Sequence, residues 1–189
     1  AVIHPDFVMG RDPLLVAEAI ARAKRQGVSE ELLSELDGFT GAVGIWDSGR
    51  PGPVTAFRFD IDCVQVGETS DPAHEANAGG YASQRPNLMH ACGHDGHLAV
   101  GLGVAQWIKD HADQLCGKIK LVFQPAEEGT RGAQPMAESG ILDDVDFIVC
   151  THIGSSVPLH QVAVCTHGYL ATTKLDIYFE GVPAHAGAN

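Results

Sequence analysis

The sequence predicts an α/β domain: a mixed, largely parallel sheet flanked by helices. Between residues 53 and 151 the hydrophobic pattern runs strand, helix, strand, helix, strand, an order that calls for parallel strands joined by right-handed crossovers. Hydrophobic residues make up 44% of the 189, enough to bury a core. Side chains capable of chemistry collect just past the strand ends, where sheets of this kind bind ligands.

The elements follow in chain order. Residues 1–12 carry no periodicity. From Pro13 to Arg25, Val16, Ala19, Ile20 and Ala23 recur at helical spacing, with Glu18, Arg22 and Arg25 opposite and Gly27 as a stop. Ser29 caps a second helix, with Glu30 and Glu31 in its first turn and an end near Gly38. Gly41–Trp46 and Pro53–Phe59 read as strands, and the turn residues Asp47–Gly52 between them predict a hairpin. The second strand ends in Asp60-Ile61-Asp62. Residues 66–88 are polar and rich in small residues, which predicts a long loop. A helix is expected from Asp95 to His111, carried by Leu98, Leu102, Ala105, Trp107 and Ile108 and stopped by Gly117. The strand Lys118–Phe123 delivers Gln124–Gly129, a short helix spans 131–139, and the strand Asp146–Cys150 delivers Thr151 and His152. Further strands are expected near Gln161–Cys165 and Thr173–Glu180, then a turn at Pro183–Gly187.

Composition excludes several classes. The net charge is −12, with Asp+Glu 24 against Lys+Arg 12, so neither nucleic acid nor an anionic membrane surface is an expected partner. The five cysteines are odd in number, widely spaced and without a C-x-x-C pair, which fits reduced thiols in a cytoplasmic protein. No run of about 18 apolar residues is available for a membrane span, and the N-terminus has no basic start or apolar core of a signal peptide. It also lacks Met, and the sequence stops on Ala186–Asn189 with no closing element. A fragment of a longer chain is expected.

The densest chemistry lies in His90-Ala91-Cys92-Gly93-His94-Asp95-Gly96-His97. Imidazole and thiolate suit zinc-like ions, and carboxylates suit harder ions such as manganese. Dense Cys/His tracts mark metal sites more often than chance polar loops. The predicted topology puts Asp60, Glu127, Glu128 and His152 at strand ends and Cys92 and His94 just before a helix N-terminus, all on one rim. Adjacent residues at a strand exit diverge, so one of Glu127 and Glu128 can hold a metal while the other serves as a general base. A bare pair of acids is otherwise an ordinary solvated surface, and a lone His152 an ordinary structural histidine. His90 and His97 could orient ligands from behind; His185 stays open on the residues alone. Cys63, Cys116, Cys150 and Cys165 read as buried small hydrophobes. H-E-x-x-H, G-x-S-x-G, Walker A and dinucleotide fingerprints are absent from the sequence. A cysteine nucleophile is the remaining alternative at Cys92, but a cation would consume that thiolate.

His90–His97, Phe123-Gln-Pro-Ala-Glu-Glu-Gly129 and His152-Ile-Gly154 together resemble the dinuclear-metal aminoacylase and carboxypeptidase-like amidohydrolases, in the subgroup that includes hippurate, N-acyl-amino-acid and auxin-conjugate hydrolases. Phe39–Gly41, Gly49–Pro53, Gly129–Ala133, Ala171–Lys174 and the helical segment 13–37 narrow the resemblance further within that subgroup. The resemblance implies a zinc-exopeptidase-like catalytic domain over 1–168 and, over 169–189, the start of a lid or dimerisation domain. It implies two divalent ions, Mn or Zn, with Cys92, His94, Glu128 and His152 as ligands. Glu127 would be the general base and Asp60 a supporting aspartate. His185 would stabilise the oxyanion, typically across a dimer interface, in a homodimer or in a heterodimer with a related chain. The substrate would be a small N-acyl amino acid. A last histidine ligand would lie beyond Asn189, so the 189-residue piece alone is expected to be inactive.

Overall fold

The computed structural model describes residues 2–154, 157–165, 173, 175 and 177–182. Its contacts divide into two units, Ala1–Ile153 and Gly154–Asn189. The first holds every helix and strand found among the described residues. After a 3-10 turn at Pro5–Phe7 come α1 (Pro13–Arg25), α2 (Glu30–Leu36), β1 (Ala42–Asp47), β2 (Val54–Asp60), α3 (Glu75–Gly79), α4 (His94–Asp110), β3 (Lys118–Gln124), α5 (Ala133–Ala137) and β4 (Phe147–Cys150).

The four strands order as β1-β3-β2-β4. β2 runs parallel to both β3 and β4, and β1 runs antiparallel to β3. The parallel core is what the alternating pattern predicts. The hairpin is not formed: β3 lies between β1 and β2. The turn that should close the hairpin is instead pinned to the start of β3. Ser48 donates to Gly117 O from both its amide (3.1 Å) and its hydroxyl (2.9 Å), and Gly117 N donates to Arg50 O (3.1 Å). Gly117 has φ +74°, and a Cβ there would sit 2.1 Å from Pro53 O, so only glycine admits this crossing.

Strand alternation fills both faces. Ile119, Leu121 and Phe123 of β3, with Phe57 and Phe59 of β2, pack toward Val104, Ala105 and Ile108 of α4. Ala56 and Val122 face the other way, onto Ile3 and Met136. Lys120 shares that second face. It is buried and held by the Ile141 carbonyl (2.6 Å) and the Asp144 carboxylate.

The N-terminal helices form where the periodicity puts them. Asp12 caps α1 by accepting from Leu14 N, Ser29 caps α2 by accepting from Leu32 N, and neither helix buries a residue. The 66–88 loop is less irregular than expected, since it contains α3 and its base is closed by a bridge between Val64 and Met89. α4 begins at His94, so that histidine is the first helical residue rather than lying ahead of the helix.

In the second unit, the described residues contain no helix or strand. The strand expected at Gln161–Cys165 is absent; Val162 and Val164 stay exposed. Alternation marks a strand only where another strand accepts its hydrogen bonds, and no pairing is formed there among the described residues. The described part of 173–180 is likewise without strand, and the turn at Pro183–Gly187 lies outside the described residues.

α4 approaches the sheet through a missing side chain. A Cβ at Gly101 would meet Phe123 Cε1 at 2.6 Å and Phe59 Cδ2 at 2.9 Å. Gly101→Ala should therefore cost about 1–3 kcal/mol of stability by overpacking, despite alanine's better helix propensity; urea denaturation of both proteins measures it.

Candidate metal centre

Four segments converge at the carboxyl ends of the parallel strands. β2 ends on Asp60 and continues to Asp62, β3 runs out into Glu127 and Glu128, β4 runs out into His152, and α4 starts at His94. Gly93 caps α4 with φ +83°, a left-handed turn that separates Cys92 from His94. Spacing then aligns His94, His97, Gly101 and Ile108 on the buried face of α4. The acid pair sits on a tight turn. Ala126 precedes it at φ +54°, a conformation costing a non-glycine residue about 1–2 kcal/mol. Arg131 N (3.0 Å) and Gly132 N (3.2 Å) both donate to Ala126 O, and Thr130 N donates to Glu127 O (2.7 Å).

His94 is the centre of the cluster. It is 1% exposed, and neither ring nitrogen has a hydrogen-bond partner among the described residues. Buried polar atoms are normally bonded. Here four carboxylates stand off at longer range: Asp62 Oδ1 is 3.4 Å from Nδ1, and Glu128 (3.7 Å), Glu127 (3.8 Å) and Asp60 (3.8 Å) surround Nε2. An imidazole without hydrogen bonds, ringed by acids, is matched to a cation between them. Cys92 Sγ lies 3.8 Å from His152 Nε2. His152 Nδ1 faces its neighbour's carbonyl, Ile153 O, at 2.8 Å, so donation there leaves the Nε2 lone pair toward Cys92 and His94. Donor atoms of Cys92, His94 and His152 lie within 4.8 Å of one another, as do those of His94, Glu127 and Glu128. Sulfur, imidazole and carboxylate at these separations fit one or two divalent ions of the zinc or manganese kind.

Behind these donors is a second layer. Asp60 is fully buried; its Oδ2 accepts from Arg58 Nη1 (2.6 Å) and its Oδ1 from His97 Nδ1. His97 Nε2 accepts from Ile153 N at 2.7 Å. Both nitrogens of His97 are thus committed. Although Asp60, His94 and His97 also lie close enough to form a ligand group, His97 acts as a strut between the end of β2 and the exit of β4. Asp62 was not singled out by the sequence. Its Oδ1 accepts from Glu127 N (3.0 Å) and its Oδ2 from Glu128 N (3.1 Å), so one carboxylate clamps the backbone of both glutamates. The available signal was the Asp-x-Asp pair at the strand end.

Electrostatics separates two of the groups. Burial pushes the Asp60 carboxyl up, but the His97 hydrogen bond and the Arg58 charge, with His94 and His97, bring it below the usual range. Cys92 moves the other way: its hydrogen bond to Glu128, burial and the charges of Glu128, Glu127 and Asp60 push the thiol up to about 11. Without a cation, Cys92 is a neutral thiol at pH 7, which disfavours the cysteine-nucleophile alternative.

The remaining sequence candidates divide. His90 is exposed and makes no hydrogen bond to the cluster. His185 lies outside the described residues. Cys63, Cys116, Cys150 and Cys165 are exposed rather than buried. Cys63 and Cys116 fall in connections, Cys165 in the second unit, and Cys150 on β4 at the edge of the sheet.

The sheet, the crossover helix and the rim of acids and histidines define an α/β domain with a candidate metal site at its strand ends. The model of peptidase family M20/M25/M40 matches residues 56–187, and the chain belongs to that family. It is 50% identical over 187 residues to a Haemophilus influenzae homolog of a p-aminobenzoyl-glutamate hydrolase subunit, covering 99% of this chain and 44% of that one. It is also 50% identical over 187 residues to the indole-3-acetyl-aspartic acid hydrolase of Enterobacter agglomerans, covering 98% and 43%. A solved Bacillus subtilis structure, described as a dinuclear metal binding peptidase of the M20 family, superposes with TM-score 0.57 at 30% identity, covering 75% of this chain and 37% of that one. The chain therefore spans less than half the length of these curated relatives.

Two outcomes test this geometry. Asp60→Ala strands the Arg58 guanidinium and His97 Nδ1 in a buried site, so it should destabilise the protein by about 3–5 kcal/mol in chemical denaturation. In chelator-treated protein, Cys92 should be carboxamidomethylated about tenfold faster per pH unit from 8 to 10, followed by peptide mass spectrometry. A rate already level near pH 7 would contradict the raised thiol pKa.

Proposed function

We propose that the whole protein hydrolyses the amide bond of p-aminobenzoyl-glutamate, releasing p-aminobenzoate and glutamate. The observation that carries this reading is His94, buried without hydrogen bonds among four carboxylates and a thiol-bearing loop. The narrower sequence resemblance, to p-aminobenzoyl-glutamate hydrolase, and the Haemophilus relative support the substrate. Cys92, His94, Glu128 and His152 would hold two divalent ions, Mn or Zn. Bound there, such ions would supply Lewis-acid polarisation and a lowered pKa for the attacking water.

The chain's own residues divide the remaining work. Glu127 is the general base: its carboxylate is partly exposed, 3.8 Å from His94 Nε2, and its backbone is fixed by Asp62. It takes the water proton and passes it to the leaving nitrogen. Asp60 and His97 hold the rear of the site, as a supporting pair rather than as ligands. His185 donates to the oxyanion. In this reading residues 1–168 belong to the catalytic domain and 169–189 open a lid or dimerisation domain. The protein works as a homodimer or as a heterodimer with a related chain, a reading favoured by the Haemophilus relative's name, which makes that protein one subunit of an enzyme. No helix among the described residues is long and apolar enough to cross a membrane, and a cytoplasmic location fits the free cysteines.

A second reading, an N-acyl-amino-acid hydrolase of the auxin-conjugate type, is favoured by the equal identity to the Enterobacter enzyme. Full-length protein supplied with Mn²⁺ or Zn²⁺ should release glutamate from p-aminobenzoyl-glutamate with higher kcat/KM than aspartate from indole-3-acetyl-aspartate; the reverse ranking selects the second reading. Glu127→Gln should lower kcat about 10²–10⁴-fold with the metal content unchanged by elemental analysis. Loss of metal along with activity would instead make Glu127 a ligand.

A further inference from the structure

A cavity of about 270 Å³ lies between the N-terminal segment and the turn that carries the acid pair. The cavity is open to solvent; Val8, Val16, Phe39 and Pro135 give it apolar walls, and the exposed Arg11 and Arg131 line it as well. No aspartate or glutamate lines it, in a chain with 24 acids against 12 bases. The Arg131 side chain forms no ion pair or hydrogen bond among the described residues. Arg11 sits 4.1 Å above the Phe39 ring and donates to Asp37 O (2.8 Å), with no carboxylate partner among the described residues.

Each guanidinium group lies close against a glycine. A Cβ at Gly10 would fall 2.0 Å from Arg131 Nη1, and one at Gly38 would fall 2.6 Å from Arg11 Nη2. Both glycines have positive φ (+64° and +70°). The backbone therefore makes room for these two cations at the cavity wall. Guanidinium groups with free donors bind carboxylates through paired hydrogen bonds, and the ring face and aliphatic walls suit an apolar body. The volume is close to the lower end of small-ligand sites, about 300 Å³, so a single-ring molecule fits and a nucleotide does not.

We propose that this cavity is a binding site for a small amphipathic carboxylate, aromatic or aliphatic, separate from the metal centre. None of Asp60, Cys92, His94, Glu127, Glu128 or His152 lines it. It does share Ala126 with the turn before Glu127, and Arg131 with the same turn's hydrogen bonds.

The test uses metal-free protein, so that it is independent of the proposed reaction. The chain is stripped with EDTA and titrated with benzoate by calorimetry, with benzamide and inorganic phosphate as controls. One benzoate should bind per chain, benzamide should not bind, and Arg131→Gln and Arg11→Gln should each weaken benzoate at least about tenfold, the loss of one charge-assisted pair. Far-ultraviolet circular dichroism confirms folding, and Arg131→Lys serves as the milder second variant, expected to retain part of the affinity. The proposal is overturned if benzoate does not saturate, if both glutamine variants bind it as the parent does, or if phosphate displaces it at equal concentration. Any of these leaves the metal centre's assignment untouched.

Discussion

The buried carboxylate of Asp60 is the interaction on which the site depends. It accepts from Arg58 on its own strand and from His97 on α4, and His97 in turn accepts from the Ile153 amide at the exit of β4. Three segments separated by dozens of residues are thereby held to one another within one buried layer. In a low-dielectric setting such bonds are strong when complete and costly when broken. The chain places this hydrogen-bonded layer directly behind a front layer centred on His94, whose ring nitrogens have no hydrogen-bond partner among the described residues. The contrast between His97, with both nitrogens engaged, and His94, with neither, separates a strut from a candidate ligand although the two rings stack 5.3 Å apart.

The front layer is electrostatically unfavourable by itself. Asp60, Asp62, Glu127 and Glu128 crowd one imidazole, and carboxylates of the same group hold the neighbouring thiol in its neutral form. A site of this kind gains stability when a cation enters, because the cation offsets the repulsion among the carboxylates and lets the thiol give up its proton. The same crowding explains the backbone devices around it. Ala126 adopts a left-handed conformation, and Asp62 clamps both glutamate amides. Local strain is tolerated where surrounding hydrogen bonds over-determine the geometry.

Much of the fold was legible because its signals are local. Helical periodicity set α1 and α4, capping by Ser29 set the start of α2, and apolar runs set β2, β3 and β4. The errors arose where local signals are ambiguous about partners. Asp47–Gly52 carries turn residues whether β1 returns beside β2 or one strand away, and only the bonds to Gly117 decide it. Val162 and Val164 alternate like a strand, but alternation carries no information about pairing. A small thiol looks like a core residue in sequence, yet Cys63 and Cys116 sit in connections and Cys150 on an edge strand.

The sequence alone determined which residues can bind or exchange protons and which strand ends they occupy, because residue chemistry and hydrophobic period are properties of short segments. It determined the parallel order of the core, since a helix between two strands leaves no other short connection. Tertiary structure alone decided that β3 enters between β1 and β2, that His97 is fully bonded while His94 is not, and that Asp62 rather than a nearer residue fixes the two glutamates. These depend on distances between segments far apart along the chain, and such distances are set only when the two faces of the sheet pack.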